Sequence, residues 1–144
     1  MHRIDWVAVP IATVVGFFLL GGLWYSRKVL GMTWGRAAGF VDAQGNILKP
    51  KTPGTNSEKH PASVFATSFV LAAIAAVAFG WSLPAGYGLK DAVVQGAIVG
   101  AAFVATSLGI NYQFAARGNT LWAIDGGYHF LQFVLYGVIF GLLA

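Results

Sequence analysis

Three long stretches without a charged side chain constrain the fold more than any other feature of the sequence. No Asp, Glu, Lys or Arg occurs in residues 6–26, 61–89 or 92–116. Each stretch exceeds the roughly 20 residues that a helix needs to cross the hydrocarbon core of a bilayer. The stretches lack strict alternation and are far longer than the roughly 10-residue strands of an outer-membrane barrel. The sequence therefore predicts spanning helices, in which each segment satisfies its own backbone.

The composition agrees with a membrane protein and excludes several other classes. The chain is 57% hydrophobic and only 10% charged, whereas a soluble domain carries about 25% charged residues. The net charge is +4, but the basic residues gather beside the apolar stretches and not along one polar face, so we predict no nucleic-acid partner. Cysteine is absent, which excludes a disulfide framework and a thiolate metal site.

The apolar pattern predicts one all-α transmembrane domain over residues 1–144, folded as a four-helix bundle. The predicted spans are residues 6–25, 61–83, 92–116 and 121–143, and the first one lacks a small-residue cleavage pattern near its end, which favours an uncleaved span. A long loop over residues 26–60 joins the first two spans. The other connections are short.

The positive charges predict an orientation for this bundle. Seven of the nine basic residues fall in the long loop or in the loop between the third and fourth spans: Arg27, Lys28, Arg36, Lys49, Lys51, Lys59 and Arg117. Only Arg3 and Lys90 belong to the opposite side. The positive-inside rule therefore predicts a cytoplasmic loop with both termini outside. Membrane lipids are the expected surroundings, and the loop's basic residues suit anionic headgroups.

The first part of the long loop has two interpretations. In "RKVLGMTWGRAAGF", Leu30 and Trp34 are four residues apart with basic residues around them, which is typical of a short helix at the headgroup level. An irregular loop with one anchoring Trp is the equal alternative, because three glycines lower the helix propensity. The following "DAQGNILKPKTPGTNSEKHP" is rich in turn formers and predicts a solvated connector.

A polar stripe interrupts the last predicted span. Asp125, His129, Gln132 and Tyr136 follow a 4-3-4 spacing, which brings them onto one side of a helix. An Asp facing lipid at the centre of a span costs roughly 2.5 to 3.5 kcal/mol on insertion scales. The stripe should therefore face protein or water.

The predicted third span approaches the same interface, so Asn111 and Asp125 should lie at one depth. Ser107 and Asn111 are expected on one face together with Val104 and Gly100. Most hydrogen-bonding side chains of the bundle then fall in its cytoplasmic half, and this asymmetry predicts a vestibule open to one side, lined by Tyr25, Ser63, Thr67, Ser107, Asn111, Gln113, Asp125 and His129.

The stripe has a structural and a functional interpretation. In the first, the Asp125 carboxylate accepts hydrogen bonds from His129, Tyr25 or Asn111, or pairs with Arg27 or Arg117, and fixes helix packing. In the second, Asp125 and His129 form a protonatable pair or ligand site, with Asn111, Gln132, Tyr25 and Ser107 beside it. A metal site is disfavoured, because three scattered ligands at most would be available. We predict no cofactor.

Two glycine pairs indicate close helix packing. Gly96 and Gly100, and Gly137 and Gly141, each have the small-xxx-small spacing that lets helix backbones approach. Because four short helices bury little on their own, we expect these pairs to offer spare surfaces for a homo-oligomer, with a dimer favoured. Trp and Tyr residues at the predicted span ends or in the loops are typical of an interfacial belt: Trp6, Trp24, Trp34, Trp81, Tyr87 and Trp122.

Two segments resemble a known family. "GGLWYSRKVLGMTWGRAAGF" after the first span and "LWAIDGGYHFLQFVLYGVIFGLL" at the C-terminal end resemble the DUF1761 family of small bacterial membrane proteins of unknown function. The resemblance implies four spans and an inner-membrane location. It implies no activity, so it assigns no catalytic residue.

The sequence leaves three hypotheses for function. The first is a non-enzymatic membrane protein that binds or organises partners, lipids or a small ligand through the vestibule. The second is a small proton-linked transporter or channel that uses Asp125 and His129. The third is an intramembrane enzyme acting on lipid, with His129 as base. We expect the first, because no catalytic motif is present.

Overall fold

The structure, a computed structural model, describes residues 4–48 and 60–144. Within these residues it is all helical, with five helices and no strand. We number the helices in chain order. They are α1 (Ala8–Trp24), α2 (Gly31–Ala38), α3 (Pro61–Ser82), α4 (Leu89–Phe114) and α5 (Asn119–Leu143).

Helices α3, α4 and α5 are each long and apolar enough to cross a membrane. Helix α1 is also apolar but shorter. Its start is fixed by Asp5, whose Oδ1 accepts hydrogen bonds from the backbone amides of Val7 and Ala8 at 2.8 and 3.1 Å. A carboxylate that caps free amides at a helix start stabilises the first turn.

Helix α5 is the centre of the fold, and α4 lies against it along most of its length. Glycines allow this approach. A Cβ on Gly96 would overlap the Phe133 carbonyl, and one on Gly137 would overlap the Ala92 carbonyl. At Gly100 an added Cβ would lie 2.7 Å from Phe130 Cα. The two backbones are therefore in direct contact, as small-xxx-small pairs permit.

This use of the glycines corrects one sequence-based argument. Gly96, Gly100, Gly137 and Gly141 were expected to leave spare packing surfaces for a second copy. All four face the neighbouring helix of the same chain, and Gly141 would bring a Cβ within 2.5 Å of Leu89 Cα. Both pairs form the contact between α4 and α5 within one chain. A homo-oligomer therefore stays a prediction, and the glycine pairs do not support it.

An apolar core lies at the end of the bundle away from the long loop. Ala8 and Ala12 of α1, Phe79 of α3, and Tyr136 and Phe140 of α5 are all at most 2% exposed there. At the other end, residues 60–67 at the start of α3 are all exposed. We call the end that contains residues 25–48, residue 60 and residues 115–118 the loop side. The helices thus pack most tightly away from the loop side.

Helix α2 follows α1 after a tight turn on the loop side. The Gly31 amide donates to the Ser26 carbonyl at 2.8 Å, and a Cβ on Gly31 would overlap the Tyr25 carbonyl. Residues 31–38 are helical, so this segment forms the short helix and not the irregular loop. Gly39 ends the helix with φ +80°, a left-handed conformation that glycine adopts without strain.

The chain then folds back onto α2 before residue 49. Val41 and Ile47 form an isolated antiparallel bridge, and the Val41 side chain packs on Gly35. Asn46 donates its amide and its Nδ2 to the Asp42 carboxylate, both at 2.8 Å, which lowers the pKa of that carboxyl below its ordinary value. Part of the predicted connector is therefore an ordered turn; residues 49–59 lie outside the described residues.

Candidate functional site

Asp125 is the centre of a polar site on the loop side. Its Oδ1 accepts hydrogen bonds from the Tyr25 hydroxyl at 2.7 Å and from Trp34 Nε1 at 2.9 Å. Its Oδ2 accepts one from the Tyr112 hydroxyl at 2.8 Å. The three donors come from the end of α1, from α2 and from the last turn of α4. One carboxylate on α5 therefore joins three other parts of the chain.

Aromatic rings pack on two of the three donors to this carboxylate. The Tyr25 ring lies 5.4 Å from that of Trp34 and 5.2 Å from that of Tyr128, measured between centroids. Phe40, at the start of the ordered turn, packs on Trp34 at 5.3 Å. Trp24 donates its Nε1 to the Ile124 carbonyl at 3.0 Å. Trp24 and Trp34 thus both donate hydrogen bonds to α5. They connect helices in addition to the role of interfacial anchor that the sequence predicts.

A π-helical stretch sets the register of α4 towards the site. Ala92, Gly96 and Gly100 face α5 at four-residue intervals. Val99–Ala105 is π-helical, and each turn of a π-helix holds more residues than an α-helical turn. Ala105, five positions after Gly100, lies against Gly126 of α5. Gly109 and Tyr112 then continue the face towards Trp122 and Asp125.

This shift corrects the predicted face of the third span. A regular α-helix would carry Val104, Ser107 and Asn111 along the line of Gly100, and Asn111 was expected next to Asp125. The π-helical stretch rotates the second half of α4, so Ser107 and Asn111 are exposed. Tyr112 takes the place expected for Asn111. Asn111 still lies level with Asp125 along the bundle, because its neighbour Tyr112 reaches that carboxylate.

Helix α1 changes register in the same way. Ala8 and Ala12, four residues apart, are buried in the core to which α5 contributes, and a Cβ on Gly16, four residues further on, would lie 2.8 Å from the Tyr136 ring of α5. Val15–Leu20 is π-helical. Gly21, five positions after Gly16, is the next residue to face α5, where it lies beside Tyr128. Tyr25 follows four residues later and reaches Asp125.

Helix α5 supplies a side-chain donor to a backbone carbonyl in each π-helical stretch. The Tyr128 hydroxyl donates to the Gly16 carbonyl at 3.1 Å, and Trp122 Nε1 donates to the Ala105 carbonyl at 2.8 Å. Carbonyls in an irregular helical turn need such partners, since lipid offers none. These bonds tie the two shifted registers to the helix that carries Asp125. Irregular turns of this kind are frequent at functional sites.

A second hydrogen-bonded chain runs along α5 away from Asp125. His129 Nδ1 and Gln132 Oε1 are 2.9 Å apart, and Gln132 Nε2 donates to the Tyr136 hydroxyl at 2.9 Å. That hydroxyl donates to the Ala72 carbonyl of α3 at 3.2 Å. Gln132 and Tyr136 are buried and His129 is half-buried. The stripe therefore faces protein, but His129 bonds Gln132 and not Asp125.

The structure brings together some of the predicted residues and adds others. Asp125 with Tyr25, and His129 with Gln132, form two separate groups. Sequence reasoning missed Trp34, Tyr112 and Tyr128 as members of the site. Trp34 carried a signal, because it follows the W-Y-S step in the segment that resembles the family, but its partner is 91 residues away. Arg27 and Arg117, considered as ion-pair partners, are exposed.

The described donors at Asp125, Tyr25, Trp34 and Tyr112, are all neutral, so they stabilise a carboxylate charge without cancelling it. Among residues 4–48 and 60–144, no three His, Cys, Asp or Glu side chains come together as metal ligands do. Every buried side-chain nitrogen or oxygen in the described part of the chain has a partner. The site is thus a well-satisfied polar cluster with one acidic centre.

Three helices that are long and apolar enough to cross a bilayer indicate a helical membrane protein. The chain belongs to the family described as protein of unknown function DUF1761, whose model matches residues 7–141. This match covers nearly the whole chain and confirms the family that the two segments indicated. No curated protein and no solved structure matches the sequence.

Proposed function

We propose that this protein is a non-enzymatic membrane protein of four spans that binds a small ligand or lipid on its loop side. The observation that carries the proposal is the Asp125 carboxylate, held by three donors from three different elements at one end of the bundle. A half-buried acidic group of this kind within a membrane helix is by default a functional group. Its three partners fix its position, which suits a binding site.

The second polar chain argues against proton transport. It passes from His129 through Gln132 and Tyr136 and ends on the Ala72 carbonyl. Around Tyr136 the next rings are Phe79 and Phe133, with centroids 6.1 and 5.4 Å away. These apolar rings belong to the core on the far side. A continuous route would need polar groups or water there, so binding from one side fits the geometry better than transport.

The bundle's environment and orientation belong to the same proposal. We place α1 in the bacterial inner membrane together with the three longer helices, with the loop side in the cytoplasm and both termini outside. The charge bias of the two loops supports this orientation. The outer helix faces support a lipid environment, since only 17% of the apolar window of α3 and 11% of that of α4 is buried within the chain.

Cysteine labelling tests the orientation, because the chain contains no cysteine. We expect Gln44→Cys to resist a membrane-impermeant maleimide in intact cells and to react after the membrane is opened. Gly88→Cys, in the connection between α3 and α4, should react in intact cells. Both positions are exposed, so burial does not explain a difference. Labelling of Gln44→Cys in intact cells would contradict the proposed orientation.

Native mass spectrometry and proton-flux measurements test the function. The protein released from membranes should carry a bound small molecule or lipid, and Asp125→Asn should lose it. Asp91→Asn, which removes an exposed carboxylate in the first turn of α4, should keep it. In vesicles under a pH gradient, the wild-type protein should pass no more protons than empty vesicles. A proton flux that depends on Asp125, together with no bound molecule, would contradict the proposed binding function and favour transport.

A further inference from the structure

The charge at Asp125 identifies a class of ligand. An ionised carboxylate has about four acceptor sites, and Tyr25, Trp34 and Tyr112 occupy three of them. These donors bring no positive charge. A half-buried charge near the hydrocarbon is costly unless a cation accompanies it. The remaining acceptor site and the charge that these three donors leave uncancelled therefore both favour a cationic partner.

The surrounding rings specify an organic cation. Tyr25, Trp34, Tyr128 and Phe40 form a continuous series of rings with centroids 5.2 to 5.4 Å apart. Aromatic faces attract ammonium groups, most of all where water is excluded. Hard metal ions instead require several oxygen ligands, and Asp125 is accompanied by ring hydroxyls and an indole. Tyr25, Trp34, Tyr112 and Asp125 are each half-buried, so the group is not sealed from outside.

We propose that Asp125 and the rings around it bind the ammonium group of a ligand, either a free organic amine or a lipid headgroup. This inference rests on the proposed function and names its ligand class. The position of the site supports both sources, because it lies where the spanning helices end on the loop side, at the depth of lipid headgroups and within reach of water.

A pair of probes of nearly equal shape tests the charge requirement on the wild-type chain. Choline and 3,3-dimethylbutan-1-ol differ in one atom, nitrogen or carbon, and hence in charge. In nanodiscs of phosphatidylglycerol, whose headgroup has no ammonium, calorimetry should give a dissociation constant at least tenfold lower for choline. Asp125→Asn should remove this preference and Asp91→Asn should keep it. Equal binding of both probes, or no choline binding, would overturn the inference.

The lipid composition separates the two sources. If a headgroup is the ligand, phosphatidylethanolamine in the nanodiscs should weaken choline binding at least tenfold by competition. If a free amine is the ligand, the lipid should not change it. An Asp125-dependent molecule seen by mass spectrometry without any choline preference would leave the proposed function standing and refute the ammonium group. If mass spectrometry finds no Asp125-dependent molecule and calorimetry finds no preference for choline, both the proposed function and the ammonium ligand are refuted.

Discussion

Gly137→Ala is expected to lower the free energy of unfolding by about 3 kcal/mol, the upper range for overpacking a tight core. A Cβ at this position would overlap the Ala92 carbonyl and lie near Val93 Cα. Both neighbours are backbone atoms, so no rotamer change relieves the overlap, and α4 must move away from α5. Gly96→Ala should act similarly against Phe133. Denaturant unfolding in mixed micelles, followed by circular dichroism, measures the loss.

Gly22→Ala is the matched control for this prediction. Gly22 lies in α1, where an added Cβ would meet nothing within 4 Å. The same substitution should therefore be neutral or stabilise the helix by up to about 1 kcal/mol, since alanine has the higher helix propensity. Equal losses for Gly22→Ala and Gly137→Ala would show that the backbone contact of α4 with α5 is not the cause.

Asp125→Ala is expected to lower the free energy of unfolding by about 4 kcal/mol and to release α2. Hydrogen bonds to charged groups contribute about 1.5 to 3 kcal/mol each, and they do not add fully. The substitution leaves three donors without their acceptor, and Trp34 loses its hydrogen bond to α5. Trypsin should then cleave after Arg36, within α2, faster than in the wild-type chain. Denaturant unfolding and timed proteolysis measure the two effects.

Two neighbouring residues of α4 provide the control for this second prediction. Tyr112→Phe removes one hydroxyl from Asp125 and should cost about 1 to 2 kcal/mol. Asn111→Ala changes an exposed side chain and should stay within about 0.5 kcal/mol of the wild type. The reverse order would mean that α4 keeps a regular α-helical register, and the account of the π-helical stretch would be wrong.

The helices were predictable because their signal is local. Long uncharged stretches require helices in a bilayer, and the 4-3-4 spacing of the stripe on α5 predicts that it faces protein or water and not lipid. In the structure Gln132 is 3% exposed and Tyr136 is fully buried, so both side chains face protein. The glycine spacing also predicted close packing, but it does not say whether the partner is the same chain or a second copy. Only the assembled helices decide that.

The composition of the site was not predictable for two physical reasons. A π-helical stretch adds one residue to a turn and rotates everything beyond it, and neither Val15–Leu20 nor Val99–Ala105 has a residue pattern that announces it. Extrapolating the regular α-helical period from Gly100 therefore placed Asn111 at the position that Tyr112 occupies. Trp34 reaches Asp125 across 91 residues, and a Trp beside basic residues is typical of a membrane interface as well. Long-range contacts of this kind leave little trace in one sequence.

An experimental structure in phosphatidylethanolamine nanodiscs tests the central claim most directly, because it shows the Asp125 carboxylate and any molecule bound there. We predict the Tyr25, Trp34 and Tyr112 donors within 3 Å of the carboxylate and density for an ammonium-bearing group on the remaining acceptor site. A carboxylate bound to a Lys or Arg of the same chain, or one separated from these three donors, would contradict the account.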